Sequence, residues 1–421
     1  MLAKKRAALV KTHCALLTGR RGIMKGAKEK LLLFALIVVS LVLAAGNTYA
    51  FSPIVMGSEG AFLKIDYQGQ LYGVWRSTGS GASGEDDSTD IFFRRNRLSV
   101  WAHGASKYGA ILQIEYVGER NINDLIVSDV PGTEFHLLDG YFMADFSNEF
   151  RVYAGKQKIQ LTRENLEDCF EPLTLDRSLF IYTLKHSRDT GVVLWGNLPT
   201  IKSQYRVEVS KGNSGNDAPQ DNFMYTARFH VSLWSPEYAY GYKGTYLGKK
   251  KVLTFGVAGQ FEPDAVYSDT IAKTGAKTYY AYTVDAFMEY PLADGASAIT
   301  LAGAYLKESF NNAYKGNNPG PNSIGQDGEK NGWYVKAAYL LPKRIGPGQV
   351  QPFVRYEKWK YADLFDVFDQ KIDWIGGGIN YLVDGQSLRV TLQYSRTDFD
   401  KEINPQSKSF DTVTAMLQYR F

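Results

Sequence analysis

Polar and apolar residues alternate along most of the chain beyond residue 60. In the last segment Val413, Ala415, Leu417, Tyr419 and Phe421 share one face, and Thr412, Thr414, Met416, Gln418 and Arg420 the other. A two-residue period is that of a β-strand with one apolar side. Leu63, Ile65, Tyr67 and Leu71 alternate in the same way with Lys64, Asp66, Gln68 and Gln70, and Tyr225, Ala227, Phe229 and Val231 with Thr226, Arg228 and His230. Leu388, Val390, Leu392 and Tyr394 repeat it against Arg389, Thr391, Gln393 and Ser395. About sixteen such segments occur, and none shows a sustained helical period.

Sixteen half-apolar strands need somewhere apolar to point. A soluble sandwich or propeller would provide a protein core, and a closed barrel in a membrane would provide lipid. The connections favour the barrel. Short links (104–107, 147–149, 197–201, 293–295 and 383–386) alternate with long ones (77–90, 119–134, 159–187, 211–221, 262–277, 309–330, 361–371 and 398–408). Short periplasmic turns facing longer external loops are the asymmetry of an outer-membrane barrel, and no blade repeat suggests a propeller. The expectation is an all-β fold: a transmembrane antiparallel β-barrel of sixteen strands. One link misbehaves. Residues 234–251 should form a periplasmic turn but are long and hold Tyr238, Tyr240, Tyr242 and Tyr246, which leaves strand extension or a count of eighteen as alternatives. Phe146, Phe150, Tyr290, Tyr339, Tyr381 and Phe421 fall near periplasmic strand ends, where an interfacial aromatic girdle belongs.

Composition alone describes something more ordinary: 421 residues, 44% hydrophobic, 22% charged and a net charge of +4. The basic excess is local. The first 50 residues hold nine Lys and Arg against the single acid Glu29, and without them the chain carries 39 Lys and Arg against 43 Asp and Glu. Residues 31–45 are a 15-residue apolar run preceded by Lys25, Lys28 and Lys30. That is too short to span a membrane as a helix and fits a secretory signal cleaved after Ala50, with residues 1–23 as a possible upstream mis-start and an uncleaved anchor as the competing reading. The domains expected are a signal peptide, 1–50, and a barrel, 51–421. The mature chain then keeps one cysteine, Cys169, so no internal disulfide can form.

The link 159–187 is the longest, and it is rich in leucine and charge rather than glycine and serine. Leu161, Leu166, Phe170, Leu173, Leu175 and Leu179 need burial, which a loop folded into the lumen would obtain while narrowing the pore; a packed external loop is the alternative.

Several segments resemble a known family. These are Phe93-Arg94-Arg95-Asn96-Arg97-Leu98, Tyr153-Ala154-Gly155-Lys156-Gln157-Lys158-Ile159, Asp176-Arg177-Ser178 and Arg188-Asp189-Thr190-Gly191, followed by 351–357 and Gly378-Ile379-Asn380-Tyr381. In order and spacing they resemble the phosphate-selective porin O and P family over most of 63–421. The resemblance implies a trimeric porin in the outer membrane of a Gram-negative bacterium, passing small hydrophilic solutes with a preference for anions or oxyanions such as phosphate, selenite or tellurite. The final strand likewise resembles the signal read by the barrel assembly machinery, carried here by Tyr419 and Phe421.

Charge counts do not establish an anion pore. On the inward phase ten bases (Lys64, Arg95, Arg97, Arg151, Arg206, Arg228, Lys336, Arg355, Arg389, Arg420) face eight acids, and the loop carries Arg163, Arg177 and Lys185 against five acids. Position can still do so, because low-dielectric walls focus the field of a few cations at the narrowest point. The candidates for the constriction are Arg95, Arg97, Lys156, Lys158, Arg163, Arg177 and Arg188. No cofactor, metal or catalytic site is expected. Asp168, Cys169 and His186 have irregular spacing for a metal, and His230 with Ser232, which would suit a membrane hydrolase, falls on the lumenal phase. A sheath around a haem-bearing redox partner is a third class, although the chain has no Cys-x-x-Cys-His. The acidic mature chain gives no support for nucleic-acid binding.

Overall fold

The computed structural model describes residues 54–58, 61–77, 87–104, 107–116, 135–179, 187–214, 218–269, 272–309, 311, 329–364 and 367–421. The expected signal peptide and the tips of several long links lie outside these residues.

Sixteen antiparallel strands form one closed barrel. They are β1 (Ala61–Arg76), β2 (Ser88–His103), β3 (Tyr108–Tyr116), β4 (Phe135–Asp145), β5 (Arg151–Lys158), β6 (Arg188–Leu198), β7 (Ser203–Ser210) and β8 (Met224–Ser232), followed by β9 (Val252–Asp269), β10 (Thr274–Pro291), β11 (Ala298–Ser309), β12 (Glu329–Leu340), β13 (Gly348–Leu364), β14 (Val367–Asp384), β15 (Leu388–Phe399) and β16 (Phe410–Arg420). Each pairs with its neighbour in sequence, and β16 closes on β1 with Thr412 opposite Arg76 and Arg420 opposite Gln68. Two further short strands do not span the barrel: Arg344–Ile345 lies within a turn, and Ile54–Ser58 lies beside the start of β1. Sixteen is therefore the count, and eighteen is set aside.

The seam is shared by both ends of the chain. Phe421 and Tyr67 exchange backbone hydrogen bonds of 3.0 and 2.6 Å. Beyond Phe421, Ile54–Ser58 takes over the same edge of β1, with Ile54 opposite Ile65 and Ser58 opposite Ala61. No edge of β1 is left open along this stretch, which is what a barrel requires of strands in an apolar solvent.

The alternation read from the sequence divides the barrel into two surfaces. Leu112, Phe142, Val257 and Ile375 are each about half exposed on the outside, whereas Gln70, Thr254, Asn380 and Gln418 are fully buried within. Polar side chains are inside and apolar ones outside, the reverse of a soluble sheet. Phe146, Phe150, Tyr290, Tyr339 and Phe421 stand exposed near the short-turn end, at girdle positions.

The link 233–251 is the exception foreseen by its length, and it is not a strand. Among its residues Glu237, Tyr242 and Thr245 are buried, and it packs against 159–179 rather than turning back at the rim.

Candidate pore constriction

Gly155 has φ +138°, and a Cβ there would lie 2.3 Å from the Gly140 carbonyl oxygen. Glycine thus allows β5 to close on β4 just before the chain leaves the sheet. Thr162 then caps a single helical turn, α1 (Arg163–Leu166), its hydroxyl accepting from the Asn165 N–H at 3.1 Å. The apolar residues that needed burial obtain it: Leu161, Leu166, Phe170, Leu173 and Leu175 are all at or below 5% exposure. Leu173 and Leu175 pack with Tyr72, Phe92, Phe353 and Met416 of the wall.

An irregular backbone needs partners for its carbonyls, and inward side chains of the barrel supply them. Gln70 donates to Cys169 at 3.1 Å, Gln418 to Phe170 at 2.8 Å and Arg389 to Pro172 at 2.9 Å. Asn380 donates to Leu173 at 2.9 Å, Arg355 to Asp176 and Arg177 at 2.6 and 2.9 Å, and Arg228 to Leu161 at 3.2 Å. The segment leaves β5 and is held by β1, β8 and β13 to β16.

The seven candidate cations divide by partner. Arg95 makes a forked pair with Asp176 (2.8 and 3.3 Å) and also donates to Gln70 at 2.7 Å. Arg97 binds Glu115 at 2.7 Å, Arg188 forks onto Asp139 at 2.9 and 3.1 Å, and Arg163 forks onto Glu237 at 2.8 Å through both nitrogens. Arg177 donates to the Cys169 sulfur at 2.7 Å and to the carbonyls of Glu167 and Asn165. Lys158 donates to the Glu167 carbonyl at 2.7 Å. Lys156 stands apart: it shares the face of Val152 and Ala154 on β5 and reaches the Leu137 carbonyl at 2.7 Å. Lys185 and His186 lie outside the described residues.

The five carboxylates of 159–179 outnumber its cations, yet each has a cation within 4 Å, one lysine serving two of them. Glu164 meets Lys336 at 2.8 Å, Glu167 meets Lys336 at 3.5 Å, and Asp168 meets Arg420 at 3.1 Å. Glu171 meets Lys243 at 3.0 Å, and Asp176 meets Arg94 at 2.9 Å and Arg95 at 2.8 Å. Burial pushes the Asp176 carboxyl up, but Arg94 and Arg95 outweigh it and hold it well below the ordinary range. Burial likewise pushes the Cys169 thiol up, and Arg177, Arg97 and Lys158 outweigh it, bringing it down to about 5. Inside the barrel, among the described residues, Lys158, Arg177, Arg206 and Arg389 meet no carboxylate; carbonyl and amide oxygens hold them instead, with the Cys169 sulfur also holding Arg177.

The link 233–251 contributes residues that sequence reasoning missed. Tyr242 bridges the two segments through its backbone, donating to Leu166 at 3.1 Å and accepting from Asp168 at 3.0 Å, and the Gly244 N–H donates to Glu171 at 3.0 Å. The Arg163 guanidinium lies 4.5 Å from the Tyr242 ring centroid and 4.2 Å from that of Phe287. The signal was present in the unexpected length of 234–251, while the Tyr238, Tyr240 and Tyr242 spacing fits a strand extension that the structure does not show.

His230 and Ser232, the nucleophile-and-base alternative, do not bond to each other. His230 Nδ1 is 2.6 Å from the Tyr242 hydroxyl, and the Ser232 hydroxyl is 2.9 Å from that of Thr254.

A cavity of about 210 Å³ remains between 159–179, 240–241 and the wall of β1 to β6 and β16. Arg97, Lys158, Asp139 and Cys169 line one end and Trp101, Met143 and Tyr153 the other.

A closed sixteen-strand barrel with an apolar exterior and ion pairs packed within is a porin-type barrel. The chain belongs to the phosphate-selective porin O and P family, whose model matches residues 73–421. It is 25% identical over 328 residues to an uncharacterized protein of Aquifex aeolicus strain VF5, covering 72% of this chain and 74% of that one. In fold it resembles the anion-selective porin from Comamonas acidovorans, with a TM-score of 0.51 and 11% identity over 86% of this chain and all of that one. It also resembles the outer membrane channel DcaP of Acinetobacter baumannii, with a TM-score of 0.53 and 14% identity over 87% and 99%.

Proposed function

We propose that the protein is an outer-membrane porin through which small hydrophilic solutes diffuse passively, with a general preference for anions. The described part of the expected constricting loop, 159–179, is read as crossing the lumen, with 233–251 meeting it from the periplasmic side. What carries the anion preference is the pairing inside the barrel. All five carboxylates of 159–179 lie within 4 Å of a cation, Glu164 and Glu167 sharing Lys336, whereas Lys158, Arg206 and Arg389, which bond the segment or Tyr240 through oxygen atoms, meet no described carboxylate; the buried Glu208 and Glu289, which meet no described cation, are held by backbone N–H groups. A buried ion pair braces the wall; an uncompensated cation sets the field that a passing ion meets. The family and the anion-selective neighbour agree with this reading. Phosphate specificity would call for a denser cluster of unpaired Lys and Arg, so phosphate, selenite and tellurite are treated alike as small anions. The homotrimer, the cleaved signal peptide at 1–50 and recognition of Tyr419 and Phe421 by the assembly machinery belong to the same reading.

Swelling of liposomes containing the refolded protein tests it. Small uncharged hydrophilic solutes should make these liposomes swell, and protein-free liposomes should not; selectivity is read separately from the reversal potential in a salt gradient. Swelling no faster than in protein-free liposomes overturns the channel, and a potential with the sign of cation permeation overturns the selectivity.

A further inference from the structure

We propose that the 210 Å³ cavity is a binding site for a small monoanion with a flat apolar body, such as a single-ring aromatic carboxylate. The proposal deepens the channel reading and rests on it for the route by which such a solute arrives.

The cavity has two chemically different ends. Arg97 and Trp101 both line it and lie four residues apart on β2, as do Tyr153 and Gln157 on β5. At about 3.3 Å per residue their Cα atoms are roughly 13 Å apart, and the side chains reach inward from both ends to narrow the gap. At the charged end the cations are largely spent: Arg188 on Asp139, Arg420 on Asp168 and Asp66, and Arg97 on Glu115 through Nε. Lys158 is the exception, with one hydrogen bond to the Glu167 carbonyl and no described carboxylate within 4 Å; it and Arg177, which also meets no described carboxylate, share the single Cys169 thiolate, so one positive charge is left over. An ammonium with donors to spare beside balanced ion pairs suits one negative charge, not the two of a phosphate dianion.

At the other end the lining is aromatic. Tyr153 meets Tyr240 edge-on at 4.7 Å and stacks on Tyr141 at 5.6 Å, with Met143 and Ile111 beside them. A second ring would extend this cluster in offset or edge geometry. The Trp101 indole N–H, also in the lining, has no acceptor among the described residues, and an accepting substituent on the ring would satisfy it. Size is compatible. Benzene occupies a cavity of about 150 Å³, so one of about 210 Å³ has room for a ring and its carboxylate.

Isothermal titration calorimetry of the full refolded protein in detergent tests the site without requiring conduction. Benzoate should bind once per chain, at least tenfold tighter than acetate, inorganic phosphate or benzyl alcohol. Lys158→Gln should weaken benzoate at least tenfold, and Tyr240→Leu should weaken benzoate while leaving acetate unchanged. Benzoate binding no tighter than acetate, or indifferent to Lys158→Gln, overturns the proposal. Heat-modifiable gel migration reports folding of each variant; if Tyr240→Leu does not fold, the ligand comparison on the wild type and Lys158→Gln decide. A protein that conducts chloride but ignores benzoate overturns the site and leaves the porin reading standing. One that binds benzoate but forms no channel overturns the porin reading instead.

Discussion

Arg163 and Glu237 form a forked ion pair, 2.8 Å through each nitrogen, that joins a segment entering from one rim of the barrel to a segment entering from the other. Both side chains are almost completely buried. Burial pushes the Glu237 carboxyl up, yet Arg163 outweighs it and brings it down to about 2. The Tyr246 hydroxyl adds a 2.8 Å bond to the same carboxylate. Glu237→Gln keeps the shape and removes the charge, leaving Arg163 with only the more distant Glu167 at 3.6 Å. Breaking a buried pair from one side costs about 3–5 kcal/mol. The expected outcome is a lower urea midpoint for unfolding and a larger, noisier single-channel conductance, since 159–179 and 233–251 are no longer tied together. Unchanged conductance and midpoint would mean that the pair holds nothing in place.

Cys169 makes stability depend on pH. Its thiol is brought down to about 5 in the folded protein from an ordinary value of 9.0. A depressed pKa stabilises the fold fully above the unfolded value, and that contribution is lost as pH falls towards the folded value. Cys169→Ser should therefore be less stable than wild type by an amount that is small at pH 5 and grows up to pH 9, measured by urea unfolding at several pH values. A difference that is flat with pH would show that Arg177 does not face a thiolate.

The seam between the chain ends should control assembly. Deleting Phe421 removes its two backbone bonds with Tyr67 and a ring contact at 5.3 Å. It also leaves a gap between Arg420 and the start of Ile54–Ser58 on the edge of β1. The folded fraction on refolding into vesicles should fall severalfold, while the variant that does fold keeps the wild-type conductance. Refolding at the wild-type yield would show that closure does not depend on the terminal residue.

The barrel was legible because each strand carries its own evidence: alternation such as Val413 to Phe421 needs no distant partner to be recognised. The leucines of 159–179 were legible for the same reason, since six apolar residues in a charged link demand cover. Pairing was not. Arg95 and Asp176 are 81 residues apart, and Arg163 and Glu237 74, and no local pattern says which acid meets which base. The facing of Lys156 follows from its place at the end of β5, where it alternates with Tyr153 and Gln157. The length of 234–251 marked it as an exception, but tyrosines two apart fit a strand extension equally well, and its contacts with Leu166 and Glu171 show otherwise.

The anion preference is the centre of the account, and the reversal potential of the refolded protein in a tenfold potassium chloride gradient tests it most directly. The predicted sign is that of chloride as the more permeant ion, with the preference weakened or inverted by Lys158→Glu combined with Arg389→Glu. A wild-type potential with the sign of potassium permeation would contradict it.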